Sequence, residues 1–217
     1  PKGSPEKDAE MKILMISATF PFPPTLGGTQ VRTFYLLKHL SQHHDITLVT
    51  QRSRDVPDAD VQALKACVDE LILFQKPLAS TLQPGPVGKA MRFTSFLKTG
   101  IPPSTHFLAV PAMIHWINEW VTTGNCDIVT CEHSVNEIFV QPHFPQYVKK
   151  VVVDIHSSLY GTVKNQLATG TAEKALRDRL NLQLLRRYER QYAQKFTDLV
   201  LTTEEDRQFF DPIAGDI

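Results

Sequence analysis

Six short runs of the chain are almost continuously aliphatic or β-branched: KILMIS (12–17), DITLVT (45–50), ELILF (70–74), DIVTC (127–131), KVVVDI (150–155) and DLVLTT (198–203). Strands covered on both faces read this way, because neither side of the pleat meets water. Between the runs, apolar residues return at helical spacing. Val31, Phe34, Leu37 and Leu40 do so in VRTFYLLKHL, and IHWINEWV (114–121) repeats the pattern. The longest predicted helix spans about Thr171 to Phe196, where Leu176, Leu180, Leu184, Tyr188, Tyr192 and Phe196 form a stripe with a step of four. Its basic residues outnumber its acidic ones, which reads as a solvated outer face. Strand, helix, strand in this order predicts parallel pairing with right-handed crossovers. The expected fold is α/β, a Rossmann-like three-layer sandwich with a mostly parallel sheet, in one domain without internal repeats.

Composition changes this picture little. At 217 residues, 42% hydrophobic and 21% charged, the chain has enough material for one core. Its formal net charge is zero, so bulk electrostatics give no reason to expect nucleic acid. Cys67, Cys126 and Cys131 are odd in number and form no CxxC, so a reducing compartment fits better than a disulfide framework. No segment is long and apolar enough to span a bilayer, and the expected location is cytoplasmic, at most at the inner face of a membrane. Residues 1–10, PKGSPEKDAE, are polar and read as a disordered tail or tag remnant.

In open parallel sheets, ligands sit beyond the carboxyl ends of the strands. TFPFPPTLGGTQ (19–30) follows the first strand, with Gly27, Gly28 and then Thr29 as the expected N-cap of the first helix. CEHS, with Glu132 and His133, follows the fourth; DIHSS, with Asp154, His156, Ser157 and Ser158, follows the fifth; TTEED, with Thr203 and Glu204, follows the sixth. These segments should converge on one edge. Glycines at a helix N-terminus let a phosphate or other anion approach exposed N–H groups and the positive end of the helix dipole. The same pair would also serve a plain strand-to-helix turn that needs Gly for positive φ. Dinucleotide and P-loop patterns are not met: G-x-G-x-x-G is absent and GPVGK (85–89) has the wrong spacing. His133, His143 and His156 match no metal motif, and no G-x-S-x-G elbow supports a hydrolase.

MKILMISATFPFPPTLGGTQVRTFYLLKHLSQHHDITLVT resembles the opening of bacterial retaining glycosyltransferases of the GT-B fold, family 4. The resemblance continues through GIPPSTHF, DIVTCEHS, VVVDIHSS, LLRRYERQYAQKFTDLVL and TTEEDRQFF, from Met11 to about Phe210. It implies a glycosyltransferase of the hexosyltransferase class, moving sugar from a nucleotide-sugar to a sugar or lipid-linked acceptor, with no metal or other cofactor. It also implies His156 as the catalytic residue beside the reacting sugar. Gly27, Gly28 and Thr29 would lie near the donor phosphates and acceptor, and His133 at a more variable cleft position. Ser157, Thr203 and Glu204 complete the expected substrate-binding set.

Members of that family have a second Rossmann-like domain carrying two Glu residues seven apart, and no such pair occurs here. Residues 11–210 are therefore expected to be the amino-terminal, acceptor-side domain, with 211–217 beginning a linker to a carboxy-terminal GT-B domain. An alternative is a non-catalytic sugar- or anion-binding module. KAMRFTSFLK (89–98) pairs Lys89, Arg92 and Lys98 with Met91, Phe93, Phe96 and Leu97. It is expected either to make a peripheral membrane contact or to pack on its own domain.

Overall fold

All six runs become strands of one sheet. The computed structural model describes residues 10–77, 94, 96–98, 100–102, 105 and 108–214. Its strands are β1 (Lys12–Ser17), β2 (Asp45–Arg52), β3 (Glu70–Gln75), β4 (Ile128–Glu132), β5 (Lys150–Ile155) and β6 (Asp198–Leu201). Their order is β3-β2-β1-β4-β5-β6, and every pair is parallel. Around them stand α1 (Gly28–Leu40), α2 (Asp58–Lys65), α3 (Pro111–Thr122), α4 (Leu159–Thr169), α5 (Ala175–Ala193) and α6 (Glu204–Ala214). Two 3-10 helices, Ser134–Phe139 and Phe144–Gln146, fill the crossover from β4 to β5.

Alternate residues of the strands feed two separate cores, which makes the sandwich three-layered. Ile13, Met15, Ile46 and Leu48 meet Phe34 and Leu37 of α1 and Val61 and Leu64 of α2. On the opposite face Leu14, Ile16, Val129, Cys131, Val151 and Val153 meet Met113, Ile117 and Val121 of α3, Phe139, and Tyr188 and Tyr192 of α5. The α/β, Rossmann-like expectation holds. Cys126 and Cys131 are buried and unpaired. Burial, with the charge of Asp127, pushes the Cys126 thiol up to about 12, so it packs as a small apolar group.

The stripe predicted along α5 is only half correct. Tyr188, Tyr192 and Phe196 are buried, but Leu176 and Leu180 are 79% and 73% exposed. A step of four advances about 400° around a helix of 3.6 residues per turn, so each repeat drifts by about 40°. Over the four steps from Leu176 to Tyr192 the drift reaches about 160°, and the two ends face opposite ways.

α6 runs to Ala214, so the first four residues of the expected linker are helical, while 215–217 lie outside the described residues. So do 1–9 and, within KAMRFTSFLK, residues 89–93 and 95. Of the rest of that segment, Phe96 is buried and Leu97 exposed. Among the described residues no helix is long and apolar enough to cross a membrane.

The carboxyl end of α5 is fastened by a buried charge. Glu137, 1% exposed, accepts from the Tyr188 hydroxyl at 2.8 Å and forms an ion pair with Lys195. Removing one partner of such a pair strands the other. Glu137→Ala is expected to cost about 3 kcal/mol, measured by urea unfolding. A loss below about 1 kcal/mol, the value of an exposed pair, would show that Lys195 finds water instead.

Candidate functional site

The loop from β1 to α1 is pinned before it reaches its glycines. Phe20 is buried, its carbonyl accepts from Gln30 Nε2 at 3.1 Å, and the Phe22 ring lies 5.6 Å from that of Phe34. Gly27 is the N-cap residue of α1, with φ 179°, and no side chain caps the helix. Thr29 is therefore not the N-cap; it lies within the first turn. Gly27 is extended and Gly28 helical, so neither backbone demands glycine, and the positive-φ explanation of the pair fails. A Cβ on Gly28 would meet nothing within 4 Å. The pair instead leaves the exposed, uncapped start of α1 without side chains.

Strand order reverses direction between β1 and β4, and one side chain joins the two walls there. Asn136 Oδ1 accepts from Ala18 N at 3.1 Å, and its Nδ2 donates to the Glu132 carbonyl. His133, where β4 ends, has φ 78° and ψ 134°, a region costly for a residue with a Cβ. Three bonds hold it there. Its N–H donates to the Asp154 carbonyl at 3.1 Å, its carbonyl accepts from Asn136 N at 3.0 Å, and its Nδ1 accepts from Val135 N at 3.2 Å. That last bond requires an unprotonated Nδ1, which places the proton of a neutral ring on Nε2. Burial, then the neighbouring His156, lowers the His133 pKa to about 4.

At the end of β5, Asp154 is 5% exposed and receives a two-pronged contact from Arg32 of α1, Nε to Oδ2 and Nη2 to Oδ1, each 2.5 Å. His156 Nε2 lies 3.4 Å from Asp154 Oδ2, and its ring centre is 4.7 Å from that of His133. Burial raises the Asp154 pKa, but contacts with His156 and Arg32 outweigh it and hold the carboxyl below its usual range. Glu132 beside it behaves oppositely. It is 1% exposed, its Oε2 has no hydrogen-bond partner, and burial with the Asp154 charge pushes its pKa up to about 8.

Ser157, Thr203, Tyr160, Lys164 and Arg186 line a cavity of about 630 Å³ between α4 and α6. Its back wall is fixed by Glu189, whose carboxylate accepts from Ser158 Oγ at 2.6 Å and Leu159 N at 2.6 Å. Thr203 Oγ1 accepts from Asp206 N at 3.1 Å. Glu204 faces Arg207 at 3.9 Å and does not line this cavity; Glu205 and Asp206 do. The structure thus groups His133 with His156, places Ser157 and Thr203 in the adjoining cavity, and sets Gly27 and Gly28 one turn from the Arg32 that grips Asp154. Among the described residues no three His, Cys, Asp or Glu side chains are arranged to hold a metal. Arg32 and Asn136 were not among the expected site residues. Arg32 lies 122 positions from its carboxylate, a separation no local pattern reveals.

No family model and no curated protein matches the chain. Solved structures do. Sucrose-phosphate synthase of Thermosynechococcus elongatus matches with a TM-score of 0.54 at 15% identity, over 94% of this chain and 45% of that one. Anabaena HepE, solved with UDP and glucose, gives 0.48 at 12% identity over 94% and 41%. A Listeria monocytogenes protein described as a UDP-N-acetylglucosamine 2-epimerase gives 0.44 at 14% over 94% and 42%. The first likeness shows the fold, a Rossmann-like α/β sandwich of the GT-B kind. The chain spans less than half the length of each.

The Glu132 environment has a measurable signature. Unfolded, the acid ionises near 4.5; folded, it keeps its proton to about 8. Between those values the folded state binds more protons, so this group makes stability fall as pH rises. The stability of Glu132→Gln relative to wild type should therefore increase from about pH 5 to about pH 8 in urea unfolding. A pH-independent difference would mean that Glu132 ionises like an exposed carboxylate.

Proposed function

We propose that this chain is the acceptor-side half of a retaining glycosyltransferase akin to family 4, transferring a hexosyl group from a nucleotide-sugar to a sugar or lipid-linked acceptor. The observation supporting this reading is the convergence, at one sheet edge, of an uncapped glycine start to α1 and the His133, His156 and Asp154 cluster. Glycosyl transfer with departure of a nucleoside diphosphate develops positive charge on the sugar and negative charge on the phosphates. The bare N-terminus of α1 suits the phosphates without a metal, since Gly27 and Gly28 let an anion approach its N–H groups and dipole. His156 suits the sugar. Asp154, held ionised by Arg32, lies 3.4 Å from the His156 Nε2 and stabilises any positive charge that the imidazole acquires, while neutral His133 lies beside it at a tilt of 59°. Ser157 and Thr203 extend the site toward the acceptor, and Glu204 lies at its margin.

In this reading a carboxy-terminal GT-B domain supplies the remaining ligands of the donor. Correct positioning of reactants is worth on the order of 7–11 kcal/mol of barrier. The 217-residue chain alone is thus expected to release no nucleoside diphosphate from a panel of nucleotide-sugars and acceptors.

In the protein expressed with its second domain, His156→Ala should lower kcat by more than about tenfold. Gly28→Val should raise KM while leaving the melting temperature near wild type, because a Cβ at this exposed position meets nothing within 4 Å. A fully active His156→Ala variant would remove the histidine from the reaction. Normal turnover by the 217-residue chain would show that it contains a complete active site.

A further inference from the structure

α5 carries a face that the proposed activity does not use. Taking 100° per residue from Leu176, Leu180 falls at about 40°, Arg187 at 20°, Gln183 at −20°, Arg190 at −40° and Arg179 at −60°. All six lie within an arc of about 100°, opposite the buried Leu185, Tyr188 and Tyr192; Arg186, beyond its edge, lines the cavity between α4 and α6. Leu176 and Leu180 are 79% and 73% exposed, and the three arginines are exposed as well. Among the described residues none of these arginines has an acidic partner. The acids of this helix are directed elsewhere: Asp178 is buried and paired with Arg177, and Glu189 is buried at the start of α4. A chain with zero formal net charge has therefore set three cations, without an acidic partner among the described residues, and two exposed leucines on one side of one helix.

We propose that this face of α5 docks on an anionic lipid bilayer, independently of the function proposed above. Leu176 and Leu180 enter the interface, while Arg179, Arg187 and Arg190 meet lipid phosphates. Charge complementarity selects this occupant. From Leu176 to Arg190 the face extends roughly 21 Å along the helix axis at 1.5 Å per residue. It bears one sign of charge throughout, and its three arginines lie within about 80° of one another around the helix, so a planar anionic surface meets them together. Exposed apolar residues on a cationic helix are the signature of interfacial binding. The surface is distinct from segment 89–98.

The 217-residue chain is sedimented with phosphatidylcholine vesicles, with and without phosphatidylglycerol, at low and high salt. Binding is expected only to the anionic vesicles and should weaken with salt. It should fall at least about tenfold in Leu176→Ser/Leu180→Ser and in Arg179→Glu/Arg187→Glu. Both pairs are exposed, so circular dichroism and melting temperature should match wild type, and the loss would report the surface. Equal binding to neutral vesicles, no binding, or binding that survives both double substitutions would overturn the proposal. Self-association in sedimentation velocity that disappears in the leucine variant, without vesicle binding, would assign the face to a second copy of the chain.

Discussion

The handedness of the crossovers governs this molecule. A right-handed connection between parallel strands must pass over one particular face for each direction of travel across the sheet. Moving outward from β1 through β2 to β3 puts α1 and α2 on one side. Returning to β4 and continuing to β6 puts α3, the 3-10 helices and α5 on the other. The reversal opens a crevice above β1 and β4. Part of the site follows from that seam: the start of α1, the strained His133, and Asn136 between them.

That same rule explains why the fold was so legible. β-branched runs fully buried between two layers leave little ambiguity, and the predicted strand ends differ from the observed ones by only a residue or two. Convergence of the strand ends on one edge follows once the strands are parallel. The errors are local and physical. The stripe in α5 was extrapolated at a period that does not match the helix. The two glycines suggested a strained turn, but the backbone there is ordinary, so their smallness matters only toward solvent. Thr29 looked like a cap by composition, yet the cap residue is Gly27, two residues earlier, and no side chain caps the helix.

The electrostatics were the least legible part. Asp154 and Glu132 end neighbouring strands and pair directly across the sheet, yet one is held ionised and the other keeps its proton. The difference is Arg32, which reaches Asp154 and leaves Glu132 with an unpartnered oxygen. Two adjacent carboxyls cannot both be charged cheaply at low solvation. Nothing in CEHS or DIHSS indicates which of the two the arginine will choose.

Asn136 has a mechanical consequence. An amide offers a donor and an acceptor on one rigid plane, and here each is committed to a different wall of the crevice. The loop after β1 and the loop after β4 are thereby braced into a single lever. A movement of either loop over a ligand would therefore carry the other with it.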